Sequence, residues 1–254
     1  MDERLDERMI VERYNFSERF THFIHLVSLF VLIITGAKIY AGYDFMSYHD
    51  ARALHIISAI VFLVANWILV PYNTVSSPCV KCVSKWRHLA HRYIFGPTDV
   101  KRLVRALPFI VSRKPAPITV YHVARKHYED KMHPAMQLLI NLELFAILIV
   151  ALTGIALYDP TWGYLGLPIG KTIMGIGDAA VGLLGIPVST MGFMRILHLL
   201  MMYWFAFEVI VHVGIIYLDP RLWKYYKSIF WTGEEDLRDR AYVELIYEKE
   251  DAIG

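Results

Sequence analysis

The sequence predicts an all-α integral membrane protein: a four-transmembrane-helix bundle with N- and C-termini cytoplasmic, its 254 residues forming a single membrane domain. Three observations predict it. Hydrophobic residues make up 56% of the chain and charged residues only 20%, which leaves little polar surface to face water. The apolar residues gather into four blocks, residues 20–40, 53–72, 134–158 and 195–218, each close to the roughly 20 residues that span a bilayer as a helix. Residues 73–131 are rich in lysine and arginine, whereas residues 159–194 hold Lys171 as their one cation; by the positive-inside rule the first loop is cytoplasmic and the second outer.

The net charge of +2, without a basic stripe interleaved with aromatics, gives no reason to expect a nucleic-acid partner, and none is expected. The opening MDERLDERMIVERYNFSERF has neither a basic n-region with an apolar core nor a small-residue cleavage site, so no signal peptide is expected to be removed. The two cysteines are too few for a four-thiolate iron-sulfur site, and neither lies in a C-x-x-C-H motif.

The first span is charge-free between Arg19 and Lys38, with His22 one turn inside and His25 three residues on, nearly on the same face. One of the two is a candidate ligand and the other its neighbour. The second span starts near Ala53 and carries His55 near its beginning, on the opposite side of the membrane from His22. In the basic loop, Pro97, Pro108, Pro115 and Pro117 break the chain into short pieces, with an amphipathic helix expected around residues 99–111. Cys79 and Cys82 there, with His88 and His91, are a possible zinc set. The gap between the pairs is shorter than in a usual finger, so reduced, unliganded cysteines are expected. The third span carries Glu143. Residues 167–188 are apolar enough to cross, but Lys171, Asp178 and several glycines point instead to a surface or re-entrant helix.

The fourth span carries His198 and His212. Fourteen residues apart, they fall about 40° short of four full helical turns with a rise of about 21 Å, so they share a stripe at two depths. Buried histidines need partners, and two on one stripe suggest two stacked haems with axial imidazoles. Any haem is non-covalently held. With four spans, His22 joins His212 at the cytoplasmic level and His55 joins His198 at the outer level; a fifth span would exchange the partners. Lone intramembrane histidines often serve only to bond a neighbouring helix, but four at two matched levels favour the cofactor.

The stretch RYNFSERFTH ending at His22, RALH ending at His55, and RILH ending at His198 with His212 fourteen residues on resemble the dihaem cytochrome b, or gamma, subunit of membrane-bound formate dehydrogenases. That family is related to the cytochrome b subunits of nickel-iron hydrogenases and thiosulfate reductases. The resemblance covers all four spans. It implies two haems b, one on His22 and His212 and the other on His55 and His198; His25 matches no ligand position. It also implies a menaquinone or other quinone near the cytoplasmic haem and His212, at a segment that in the family reads Lys-Tyr-Asn, then Pro or Ala, then Gly. Here the segment is Lys131, Met132, His133, Pro134, Ala135, so His133 and Ala135 depart from the pattern. A histidine can still bond a quinone oxygen and exchange a proton with it.

Glu143 and Glu208 are costly in hydrocarbon, and Glu208 precedes His212 by four residues. They are candidates for a proton path to the quinone, or for carboxylates paired with an arginine, a propionate or another subunit. The expectation is a multi-pass subunit of a prokaryotic cytoplasmic (inner) membrane, in contact with lipid. It carries electrons between an iron-sulfur partner and the quinone pool, beside a catalytic subunit, and has no primary-substrate site of its own. Formate dehydrogenase is the first expectation; the alternative is a hydrogenase, or a thiosulfate or other reductase. A haem-free histidine-rich transporter is the alternative of another class, against which no internal repeat or broken-helix pair is visible.

Overall fold

The computed structural model describes residues 9–76, 94–112, 118–124, 126–131, 134–240 and 242–247. Helix α1, Phe16–Ala41, opens on a capping box: Asn15 Oδ1 accepts from the Glu18 amide at 2.8 Å, and Glu18 Oε2 accepts from the Asn15 amide at 2.9 Å. Helix α2, Tyr48–Ser76, starts where Ser47 Oγ accepts from the Asp50 amide, and a π-helical turn, Ala65–Leu69, interrupts it. Helix α3, Pro97–Ser112, lies in the basic segment. Helix α4, Pro134–Tyr158, begins with a proline, which fits a first helical turn whose amides lack intrahelical partners. Helix α5 is Ile169–Leu184; it stops at Gly185, which takes a left-handed φ of 61°. Helix α6, Thr190–Leu218, starts where Ser189 Oγ accepts from the Gly192 amide.

Among the described residues, α1, α2, α4 and α6 are long and apolar enough to cross a membrane. At most 22% of the central window of any of them is buried inside the protein, so most of their apolar surface is left for lipid. On α1 the stripe Phe16, Phe20, Phe23, Val27, Phe30 and Ile34 is exposed throughout, a spacing of three and four that keeps one face of a helix outward. The protein is a membrane protein. Helix α5, at 16 residues, spans only about 24 Å, short of a hydrocarbon core of about 30 Å.

The chain divides into two compact units, each of which takes part of every long helix. One unit, Leu29–Leu63 with Leu142–Val211, has a core drawn from all four long helices: Leu29, Phe62, Ala146, Ile147 and Phe205. Phe62 and Phe205 meet edge to face at 5.8 Å. Ile173 of α5 is buried against Ala156 and Met194. Gly170 lies so close to the turn before α5 that a Cβ would come within 2.7 Å of the Pro160 carbonyl oxygen.

The other unit, Met1–Ser28 with Val64–Asn141 and His212–Gly254, departs from the all-α expectation in its extramembrane part. Strand β1, Ile10–Glu12, pairs antiparallel with β4, Glu234–Asp236. Strand β2, Thr119–His122, lies between antiparallel β3, His127–Asp130, and parallel β5, Val243–Ile246. These strands are only three or four residues long, too short for alternation to show in the sequence. β1 precedes α1 and β4 follows α6, so the segments flanking the four long helices meet in this two-stranded sheet.

Beneath these strands Arg13 is only 2% exposed and Glu235 only 3%. Arg13 pairs with the Glu235 carboxylate and donates to Thr119 Oγ1 at 2.6 Å, with its guanidinium 4.6 Å from the Tyr225 ring centre. Glu235 also accepts from Thr119 and from the Tyr128 hydroxyl, both at 3.1 Å. Burial and the Glu235 carboxylate push the Tyr128 phenol above its ordinary range. A buried charge pair of this kind holds only because further hydrogen bonds satisfy its polar atoms.

Candidate functional site

Each unit contains one group of the histidines singled out in the sequence. In the first, His55 of α2 and His198 of α6 face each other with ring centres 6.2 Å apart and planes inclined at 52°. Neither ring stands alone. Thr35 Oγ1 of α1 lies 2.9 Å from His55 Nδ1, and Thr153 Oγ1 of α4 lies 2.9 Å from His198 Nδ1. The next residue in each helix is glycine. A Cβ on Gly36 would be 3.4 Å from His55 Cε1, and one on Gly154 3.5 Å from His198 Cε1, so each imidazole edge rests on bare helix backbone. All four long helices contribute to this arrangement.

In the second unit, His22 and His25 of α1 and His212 of α6 are close enough to interact electrostatically. His25 Nδ1 is 3.1 Å from Asn66 Oδ1, on the π-helical turn of α2; such turns are frequent at functional sites. Asn73 ties α2 to α1 beside His22, donating to Thr21 Oγ1 at 2.8 Å and accepting from Ser17 Oγ at 2.7 Å. The His22 ring meets Phe230 edge-on at 5.5 Å. Its Nδ1 is buried and has no hydrogen-bond partner among the described residues. An orphaned buried polar atom costs about 1–3 kcal/mol unless something outside the chain satisfies it. Phe230 also walls a hollow of about 590 Å³, lined besides by Tyr217, Trp223, Tyr226, Lys227 and Trp231.

The remaining candidates are dispersed. Glu143 and Glu208, both half-buried, interact with each other in the unit that holds His55 and His198. Ala135 is half-buried in the first turn of α4. His133, Cys79, Cys82, His88 and His91 lie outside the described residues. Among the described residues no three or more His, Cys, Asp or Glu side chains gather as a metal site; a haem needs only two axial ligands from the protein.

The residues present fit a metal held between two imidazoles. An ion about 2 Å from one nitrogen of each ring, the usual metal-to-histidine distance, sets the ring centres about 6 Å apart. The observed 6.2 Å leaves that room. Thr35, Gly36, Thr153, Gly154, Asn66, Asn73 and Phe230 are the site residues that the sequence reading missed. The signal for four of them was present: Thr-Gly occurs at residues 35–36 and 153–154, each time in the last two turns of a span.

No family model matches the chain, and no solved structure matches it. Among characterised proteins, the chain is 47% identical over 238 residues to the "F420 non-reducing hydrogenase II cytochrome subunit" of Methanosarcina mazei, an archaeon, covering 93% of this chain and 87% of the relative. The relative is a hydrogenase subunit, so the comparison supports the alternative named from the sequence and gives no support to formate dehydrogenase. The resemblance rested on short motifs around four histidines on the membrane helices, and none of these residues reports which enzyme the subunit serves. At this identity and coverage the chain belongs to the family of membrane cytochrome electron-transfer subunits represented by that hydrogenase protein.

Proposed function

We propose that this chain is the cytochrome b subunit of a hydrogenase complex, carrying electrons between an iron-sulfur partner and a lipid-soluble carrier such as a quinone. The facing imidazoles of His55 and His198, 6.2 Å apart, carry the reading, in a chain 47% identical to a cytochrome subunit. His55 with His198 and His22 with His212 would hold two haems b. Bound between two imidazoles, a haem supplies one-electron chemistry at an iron without an open coordination position.

The chain's own residues bind, orient and seclude. The four histidines come from α1, α2 and α6, and the apolar core of Leu29, Phe62 and Phe205 keeps water from the bundle interior, where a low dielectric tunes redox potential. On α6, Phe205 lies seven residues from each of His198 and His212. The carrier would meet the His22 and His212 end, near His133 and Ala135, and the aromatic hollow beside Phe230 suits a flat ring. The charge of the basic segment supports a cytoplasmic position for this end and for both termini in a prokaryotic membrane.

Glu143 and Glu208 would pass protons to or from the carrier. Glu208→Gln is then expected to slow carrier-linked turnover by a factor of about 10² while both haem spectra stay unchanged; equal rates in stopped-flow assays would assign the carboxylates to packing alone.

The test of the reading is a reduced-minus-oxidised spectrum of the purified complex with a pyridine haemochrome count. Two low-spin haems b per chain are expected, reducible by hydrogen when the catalytic partner is present. A preparation without haem that moves metal ions across vesicles would instead establish the transporter.

A further inference from the structure

The two threonine contacts repeat one device, and it assigns a tautomer. Thr35 Oγ1 lies 2.6 Å from the Val31 carbonyl oxygen, and Thr153 Oγ1 lies 2.7 Å from that of Ile149. A hydroxyl has one hydrogen and a carbonyl oxygen can only accept. Each threonine proton is therefore committed to its own helix, four residues back, as threonines inside helices often arrange. What remains on each oxygen is a lone pair, so the 2.9 Å contact to the histidine must run from Nδ1–H to Oγ1. Thr35 is 1% exposed and Thr153 3%; water does not compete for either bond. A neutral imidazole protonated at Nδ1 carries its lone pair at Nε2.

The same pair of residues does this on two helices. Thr35-Gly36 of α1 holds the histidine of α2, and Thr153-Gly154 of α4 holds the histidine of α6. The surrounding sequences, ITGAKIY at residues 34–40 and LTGIALY at 152–158, place a tyrosine five residues after each threonine. In each case the hydroxyl fixes one ring nitrogen and the absent side chain of the following glycine gives space to the ring's Cε1 edge.

We propose that Thr35 and Thr153 are positioning residues that hold His55 and His198 in the Nδ1–H tautomer, aiming both Nε2 lone pairs at one metal centre, with Gly36 and Gly154 as the seats of the two rings. This deepens the haem reading of that site and rests on it. A donated Nδ1–H hydrogen bond also makes the imidazole a stronger electron donor, which favours the oxidised metal.

The test uses the full chain in its purified complex, with Thr35→Val, Thr153→Val and the double variant compared with Thr35→Ser and Thr153→Ser. The valine variants are expected to release this haem to a competing apoprotein about 10–100-fold more readily, the usual loss when a hydrogen bond behind a metal-bound histidine is removed. The midpoint potential of the same haem is expected to move upward. The serine variants, which keep the oxygen, are expected to restore both values. Should the valine proteins not accumulate, Thr35→Ala and Thr153→Ala remove the same oxygen without a second methyl and are read in the same way. A haem-loaded variant without the hydroxyl, but with wild-type potential and wild-type haem retention, would overturn the proposal. A wild-type complex without haem, or a His55→Ala protein that keeps both haems, would instead overturn the reading on which it rests.

Discussion

His55→Ala and His198→Ala are each expected to leave a complex with one haem b in place of the two proposed, and the haem lost is expected to be the same in both. Either substitution removes one of two imidazoles whose ring centres stand 6.2 Å apart, and an axial position vacated in an apolar bundle has no water to replace it. His22→Ala and His212→Ala are expected to remove the other haem. Low-temperature difference spectra and redox titration of the four proteins check the assignment, since each surviving haem keeps its own α-band and potential. If His55→Ala and His198→Ala depleted different haems, the pairing would be wrong. A protein in which His25→Ala, and not His22→Ala, removes the second haem would move that ligand by one helical turn. His25 is bonded through Nδ1 to Asn66, whereas His22 Nδ1 has no partner among the described residues, so the two substitutions separate the roles directly.

Arg13→Ala is expected to destabilise the extramembrane strands by about 3–5 kcal/mol, because it leaves the Glu235 carboxylate buried without its counter-charge. Glu235→Ala should do the same to the guanidinium. Both groups are 1% exposed at the side chain, so solvent cannot take over as it does for a surface pair. At about 1.4 kcal/mol per tenfold, local opening of β1 and β4 rises by roughly 10²–10³, which hydrogen exchange of the Ile10–Glu12 and Glu234–Asp236 amides reads directly. Replacing both residues by apolar ones of similar size should recover most of the loss. Unchanged exchange in the single variants would mean that the pair contributes nothing to the strands, while both haems are expected to persist in all these proteins.

How much could be read beforehand follows from the size of each signal. A membrane helix announces itself through twenty apolar residues in a row, which is why the four long helices and the four histidines on them were legible. Residues 167–188 were legible as an apolar piece with two readings, a fifth span or, from Lys171, Asp178 and several glycines, a surface or re-entrant helix; the 16-residue length of α5 is a fact of the structure. The extramembrane strands were not legible. Each has three or four residues, and each is held by a partner more than a hundred residues away or by a short hairpin, so no local period betrays it. Nothing local in the sequence reports that Arg13 is buried, and only its contacts with Thr119, Tyr225 and Glu235 make it the centre of a buried network.

Thr35 and Thr153 illustrate the same division within the site. In an apolar run a threonine reads as an ordinary helix residue that bonds its own backbone, and both do so. That each also meets a histidine on another helix depends on helix rotation and spacing.

Four long apolar helices, the histidines they carry and a resemblance to membrane cytochrome b subunits were readable in the sequence alone, whereas the hydrogenase relation came from the 47% identical relative and not from the motifs, which pointed first to formate dehydrogenase. Hydrophobic length and histidine spacing are local properties, set by helix rise and bilayer thickness. Only the tertiary contacts show that His55 faces His198 while a threonine and a glycine seat each ring, and that Ile10–Glu12 pairs with Glu234–Asp236. Those facts depend on contacts between residues far apart in the chain, where packing and hydrogen-bond satisfaction act without leaving a local pattern.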